Sequence, residues 1–210
     1  MATPESPIRV LAVDDHPVLL DGLGLMIDSQ PDMRLVARAT SGSEGAQLFR
    51  EHLPDVTLVD LRLPDMHGIW LIQTLRNQSP IARIIVLTTY LGDMQALKAL
   101  RAGAQGYLLK ATLRLDLVDA IRTVHAGGRR IPPEVAAALA EHATDDTLTE
   151  REIQVLQGVA SGHSNKLIAE SLKIREDTVK THMRSILAKL GANDRTHAVM
   201  IALKRGFLEL

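Results

Sequence analysis

The stretch Ile8-Arg9-Val10-Leu11-Ala12-Val13-Asp14-Asp15 decides how the chain is read. Six mostly apolar residues with β-branched members read as a strand buried on both faces, and two carboxylates follow it directly. A second run, Val56-Thr57-Leu58-Val59, ends on a third carboxylate, Asp60. If the two runs are neighbouring parallel strands, Asp14, Asp15 and Asp60 converge at one sheet edge, where ligands bind in open α/β sheets. Three crowded acids repel one another unless a cation joins them. Ligation by carboxylates, a backbone carbonyl and water suits Mg²⁺.

Outward from these runs, the same alternation continues. Strands are predicted at 8–13, 34–39, 56–60, 83–88 and 106–109, with amphipathic helices at 17–29, 43–51, 68–77, 92–102 and 112–126. Five strand–helix repeats imply a doubly wound parallel sheet covered on both faces. Gly42, Gly68, Gly92 and Gly103 fall at or near the joints, where a reversing chain often needs positive φ. Pro17 can open the first helix, as proline is tolerated there.

Gly127-Gly128 breaks the fifth helix, and Pro133 can open a short helix through Ala140, with the polar Thr144-Asp145-Asp146 beyond it. Residues 1–126 are therefore expected to form an α/β domain, 127–146 a partly helical linker, and 147–210 an all-α four-helix domain. In the last segment Thr149-Glu150-Arg151-Glu152 matches a capping box. Helices are predicted at 150–161, 165–172, 176–190 and 195–205, three of them ended by Gly162, Gly191 and Gly206.

Composition limits the remaining choices. A chain of 210 residues is comfortable for two domains at about 100 to 200 residues each. It contains no cysteine, which removes disulfides and thiolate metal sites. No apolar run approaches the roughly 18 residues that span a bilayer, so a cytoplasmic protein without membrane contact is expected. Net charge is −1, yet residues 147–210 carry ten basic and seven acidic side chains, an excess that hints at a polyanionic partner.

The loop after Asp60 runs Leu61-Arg62-Leu63-Pro64-Asp65-Met66-His67-Gly68. Thr88 ends the fourth strand, and Tyr107-Leu108-Leu109-Lys110 ends the fifth, which brings a hydroxyl and an ammonium to the acidic edge. A carboxylate beside Mg²⁺, with a lysine to neutralise transferring oxygens, is fit to accept a phosphoryl group. Taken singly, each element has a bland reading: an Asp after a strand is usually a cap or turn residue. Tyr107 alone would be a packing residue and Lys110 a solvated one. His16 and His67 lack further ligands at suitable spacing and are read as loop residues.

All five elements in register resemble the receiver domains of two-component response regulators, over residues 8–126. The resemblance implies that Asp60 is the phosphoacceptor and that Asp15, Asp60 and the Arg62 carbonyl bind Mg²⁺ directly, with Asp14 acting mainly through water. It implies a switch pair, Thr88 and Tyr107, with Tyr107 turning inward, and a Lys110 that pairs with the acyl phosphate. Many receivers have proline after that lysine, where this chain has Ala111-Thr112. Arg62 is expected to tune the phosphorylated lifetime.

In the last domain, Leu148-Thr149-Glu150-Arg151-Glu152, Ser164-Asn165-Lys166 and Asp177-Thr178-Val179-Lys180-Thr181-His182, with Lys189-Leu190 and Arg195-Thr196, resemble the LuxR-type helix-turn-helix of the NarL/FixJ response regulators. In helix 176–190, Val179, Met183, Ile186, Leu187 and Leu190 make an apolar stripe. Lys180, Thr181 and Arg184 lie opposite, suited to base or phosphate contact in the major groove. His182, Asn165, Lys166 and Lys189 are expected as phosphate or framework contacts. Members commonly cap this helix with serine, where this chain has Arg175.

The resulting expectation is a transcriptional response regulator, not an enzyme. A histidine kinase donates phosphoryl to Asp60, and the active form is a homodimer on double-stranded DNA, with receiver inhibition of the recognition helix relieved. Two rivals stand beside it. Phosphatases of the haloacid dehalogenase type need a second Asp two residues after the first, and Arg62 occupies that position. A DNA-binding protein with a vestigial receiver would not need the intact pocket.

Overall fold

The computed structural model describes residues 6–89, 93–141 and 148–208. Thr144-Asp145-Asp146 and Gly92 lie outside the described residues. The chain divides into two compact units, one of residues 1–90 and 96–133 and the other of residues 91–95 and 134–210.

The first unit alternates β1 (Ile8–Val13), α1 (Pro17–Asp28), β2 (Met33–Ala39), α2 (Gly42–His52), β3 (Val56–Asp60), α3 (Gly68–Gln78), β4 (Ile84–Thr88), α4 (Asp93–Ala102), β5 (Gly106–Leu109) and α5 (Leu113–His125). All pairings are parallel in the order β2-β1-β3-β4-β5. β1 is therefore the point at which strand order reverses, so a crevice opens beyond the carboxyl ends of β1 and β3. Val13 pairs with Val59, which brings Asp14 and Asp60 to adjacent positions at that edge. β3 and β4 are buried throughout, as strands covered on both faces must be. One half of the core packs Leu20, Leu23 and Ile27 of α1 and Leu117, Ile121 and Val124 of α5 against Val10, Leu58 and Ile85 of the sheet.

Two glycine expectations are corrected. Only Gly103 of the described joint glycines has positive φ, at +112°. Gly42 and Gly68 open helices with ordinary φ, and what they supply is closeness: a Cβ on Gly68 would collide with the Asp60 carbonyl, and one on Gly42 with the Met66 side chain. Beyond α5, Gly127 turns at φ +86°. Arg130 then forms a parallel bridge to the β5 edge, its N–H donating to the Gln105 carbonyl and its carbonyl accepting from Tyr107 N–H. The segment after α5 thus begins as part of the first unit.

The second unit contains α6 (Pro133–Glu141), α7 (Glu150–Ala160), α8 (Asn165–Leu172), α9 (Glu176–Leu190) and α10 (Arg195–Arg205). Thr149 and Glu152 close the expected capping box at the start of α7. Ser164 caps α8 and Asp194 caps α10, whereas Arg175 offers α9 no side-chain cap. Gly162, Gly191 and Gly206 end helices at positive φ. Val155, Leu156, Ile168, Val179, Ile186 and Ala198 are fully buried and form the centre of the bundle.

Candidate functional site

At the carboxyl edge of the sheet, Asp14 is fully buried, Asp60 is buried and Asp15 is exposed. Lys110, carried in by the turn after β5, directs Nζ between two of them: 2.7 Å to Asp14 Oδ2 and 2.7 Å to Asp60 Oδ2. Asp60 Oδ1 also accepts from the Arg62 backbone N–H at 3.3 Å. Burial pushes the Asp60 carboxyl above its usual range, with Lys110 opposing and the Asp14 charge reinforcing the rise. Burial pulls Lys110 down, but the two carboxylates more than offset it and hold the ammonium charged.

The donor set fits a hard divalent cation. Three carboxylates crowd one edge with a single ammonium, and their oxygens are the hard ligands that such a cation takes. Asp14, Asp15, His16 and Asp60 each offer a ligand atom within 4.8 Å of the others. His16, read from the sequence as a loop residue, belongs to this cluster, with Nδ1 at 3.0 Å from Asp14 Oδ1 and 2.6 Å from Asp15 Oδ1. The tight step from β1 to the proline-initiated α1 folds it back over the acids, a placement that spacing to other ligands did not reveal. His67 caps α3 by accepting from Ile69 N–H at 3.2 Å.

Thr88 ends β4 beside this pocket and Tyr107 lies in β5, fully buried. Burial pushes the Tyr107 phenol up to about 12, and a hydrogen bond with Thr88 pulls the other way. The two residues expected to form a switch pair are therefore in contact, and Tyr107 already occupies the inward position in this structure.

On α9, Lys180, Thr181 and Arg184 are exposed, while Val179, Ile186 and Leu190 are buried and His182 is half-buried. Lys180 makes exposed ion pairs with Asp177 at 3.2 Å and Glu176 at 3.5 Å, which are weak enough to exchange for phosphate. Thr181 donates its hydroxyl proton to the Asp177 carbonyl. Asn165 and Lys166 open α8. Lys189 differs: only a fifth exposed, it lies 2.8 Å from the buried Glu152 carboxylate, which also accepts from Ser185 Oγ at 2.6 Å and Thr149 N–H at 2.7 Å. Of its two expected roles, phosphate contact or framework, this geometry is that of framework. The sequence marked Glu152 only as half of a capping box. Its reach to α9 had no local signal.

An α/β unit with an acidic, lysine-bridged edge and a helix-turn-helix unit on the same chain define the class of two-component response regulators. Comparison with known proteins agrees: residues 10–122 match the response regulator receiver domain, and residues 146–202 match the luxR family of bacterial regulatory proteins. The transcriptional regulatory protein LiaR of Bacillus subtilis (strain 168) is 38% identical over 203 residues, spanning 93% of this chain and 96% of that protein. The crystal structure of the response regulator ChrA of a heme-sensing two-component system aligns at TM-score 0.57 and 38% identity, over 97% of this chain and 100% of that one. A structure of two RcsB dimers bound to two parallel DNAs shares the fold at TM-score 0.71 and 23% identity, over 95% of this chain and 99% of that one. The chain belongs to the LuxR-type response regulators, a family that regulates transcription and is not enzymatic. No described helix is long and apolar enough to cross a membrane.

Proposed function

We propose that the protein is a phosphorylation-controlled transcription factor in which Asp60 accepts a phosphoryl group from a histidine kinase and thereby raises the DNA affinity of the helical unit. The observation that carries this reading is the position of Lys110 Nζ, 2.7 Å from the Asp60 carboxylate. An Asp60 oxygen attacks phosphorus as the phosphorus–nitrogen bond to the donor imidazole breaks, and the imidazole nitrogen leaves with the bond's electron pair. Lys110 is then in reach of the new phosphoryl oxygens and balances part of their charge. Asp14, Asp15, Asp60 and the Arg62 carbonyl would hold Mg²⁺, whose chemistry there is to neutralise charge on the transferring phosphoryl group.

The phosphoryl group adds about 1.5 to 2 negative charges at the sheet edge. It shifts the equilibrium only through its differential stabilisation of one arrangement. Thr88 moves toward the phosphoryl oxygens, Tyr107 holds the inward position, and receiver inhibition of α9 is relieved. Residues 1–126 receive the signal, 127–146 link, and 147–210 bind DNA. The output is a homodimer on two half-sites about one helical turn apart, with Lys180, Thr181 and Arg184 contacting bases or phosphates. His182, Asn165 and Lys166 add phosphate contacts, Arg62 tunes the phosphorylated lifetime, and the protein acts in the cytoplasm.

The test is a gel-shift titration of the full chain on its operator, selected from a random DNA pool, with and without acetyl phosphate. Wild type gains affinity with the donor and Asp60→Asn does not. Equal gains in both would reject the proposal.

A further inference from the structure

The acidic pocket is assembled from two arms, Asp14–Asp15 after β1 and Asp60 with the loop 61–67 after β3, and both rest on the first turns of α2. Gly45 lies so close to β1 that a Cβ there would stand 2.8 Å from a Val13 methyl, one residue before Asp14. On its other side, α2 is gripped by Asp65. Oδ1 accepts from Gly42 N–H at 2.8 Å, and Oδ2 accepts from Ser43 N–H at 2.8 Å and Ser43 Oγ at 2.6 Å. The Ser43 hydroxyl pulls the Asp65 carboxyl down to about 2, with burial opposing and the Ser43 and Gly42 amides adding to the fall.

The helix has its own cap without this grip. Ser41 Oγ accepts from Glu44 N–H at 3.3 Å, and the Ser41 carbonyl accepts from Gly45 N–H. What Asp65 adds is a tether for the loop. The base of that loop is closed by Gly68 N–H donating to the Leu61 carbonyl at 2.8 Å and by the antiparallel bridge of Arg62 with His67. Its tip is held by Asp65, with Met66 packed over Gly42.

We propose that Asp65 is a positioning residue that clamps the β3–α3 loop to the first turn of α2 and so fixes the Asp60–Arg62 arm relative to the Asp14–Asp15 arm. The inference rests on the reading of this pocket as a Mg²⁺-dependent phosphoacceptor site. Mg²⁺ demands near-ideal octahedral geometry, so a loose arm costs affinity even with every ligand present. Residues that orient metal ligands are worth about 10- to 100-fold in metal affinity.

The test uses the full chain as wild type, Asp65→Ala, Asp65→Asn and Ser41→Ala, with Mg²⁺ affinity from calorimetry and amide exchange of residues 61–67 in Mg²⁺-free buffer. Asp65→Ala weakens Mg²⁺ about tenfold or more, speeds exchange across the loop, and regains acetyl-phosphate labelling at saturating Mg²⁺. Asp65→Asn, which keeps an acceptor and the side-chain shape, falls between it and wild type and serves alone if the alanine variant does not fold. Ser41→Ala weakens the α2 cap yet leaves Mg²⁺ affinity unchanged. Wild-type Mg²⁺ affinity in both Asp65 variants, or an equal loss in Ser41→Ala, overturns the clamp and leaves the pocket reading intact. A wild-type protein that neither binds Mg²⁺ nor is labelled overturns both.

Discussion

Thr88 and Tyr107 share a hydrogen bond beneath the carboxyl edge of the sheet, with Tyr107 fully buried. A hydroxyl on the last residue of β4 is thus the group that contacts the buried phenol, and it stands beside the pocket that holds Asp60. Thr88→Ala is expected to retain labelling at Asp60 while losing most of the phosphorylation-dependent gain in DNA affinity. Labelling and gel-shift titrations on the same preparation check this, and a full gain in the variant contradicts the switch role.

Glu152 is a buried carboxylate with four donors, and its pKa falls from 4.5 to about 2, with burial opposing the effects of Lys189, Ser185 and Thr149. A lowered folded pKa contributes stability that is present above pH 4.5 and lost as pH falls through about 2. At neutral pH, Glu152→Ala is expected to cost about 3 kcal/mol, through the lost charge pairing with Lys189 and the lost hydrogen bonds from Ser185 and Thr149. Urea unfolding monitored by helical circular dichroism measures it. A loss below about 1 kcal/mol would mean the network is no stronger than a surface pair.

Lys189 and Lys180 separate framework from interface. Lys180→Ala is expected to weaken DNA binding and reduce the salt slope by about one unit, as the loss of one phosphate contact does. Lys189→Ala is expected to lower stability and leave the slope unchanged. Arg184→Ala, if Arg184 reads a base, costs about 1 to 3 kcal/mol and relaxes sequence preference at one position. Binding isotherms at several salt concentrations distinguish the three.

The α9 helix begins at Arg175 without a side-chain cap. Arg175→Ser is expected to stabilise the second unit by about 1 kcal/mol. Thermal unfolding reads the gain, and DNA affinity should fall slightly because a positive charge near the phosphates is removed. A destabilised variant would mean that Arg175 contributes more than its position shows.

The sequence made most of this architecture legible because period and punctuation agreed. The alternation of apolar runs with helical stretches located five strands, and Thr149 with Glu152 marked a helix start that the structure places at Glu150. The pocket was legible because each of its members directly follows or ends a strand, so chain order fixed which edge they share. What escaped depended on contacts between distant segments. Asp65 ties its loop to the first turn of a helix 22 and 23 residues earlier, and Glu152 reaches Lys189 on another helix; neither leaves a periodic signal. Gly42 and Gly68 were recognised as special for the wrong reason, since crowding by Met66 and the Asp60 carbonyl is invisible without the fold.

Asp60, bridged by Lys110, is the proposed phosphoacceptor. Intact-mass and peptide-mapping measurements on the full chain with Mg²⁺ and acetyl phosphate test it most directly. A single phosphoryl group is expected on the peptide containing Asp60, and none in Asp60→Asn. Undiminished labelling of Asp60→Asn, or a phosphoryl group mapped to another residue, would contradict it.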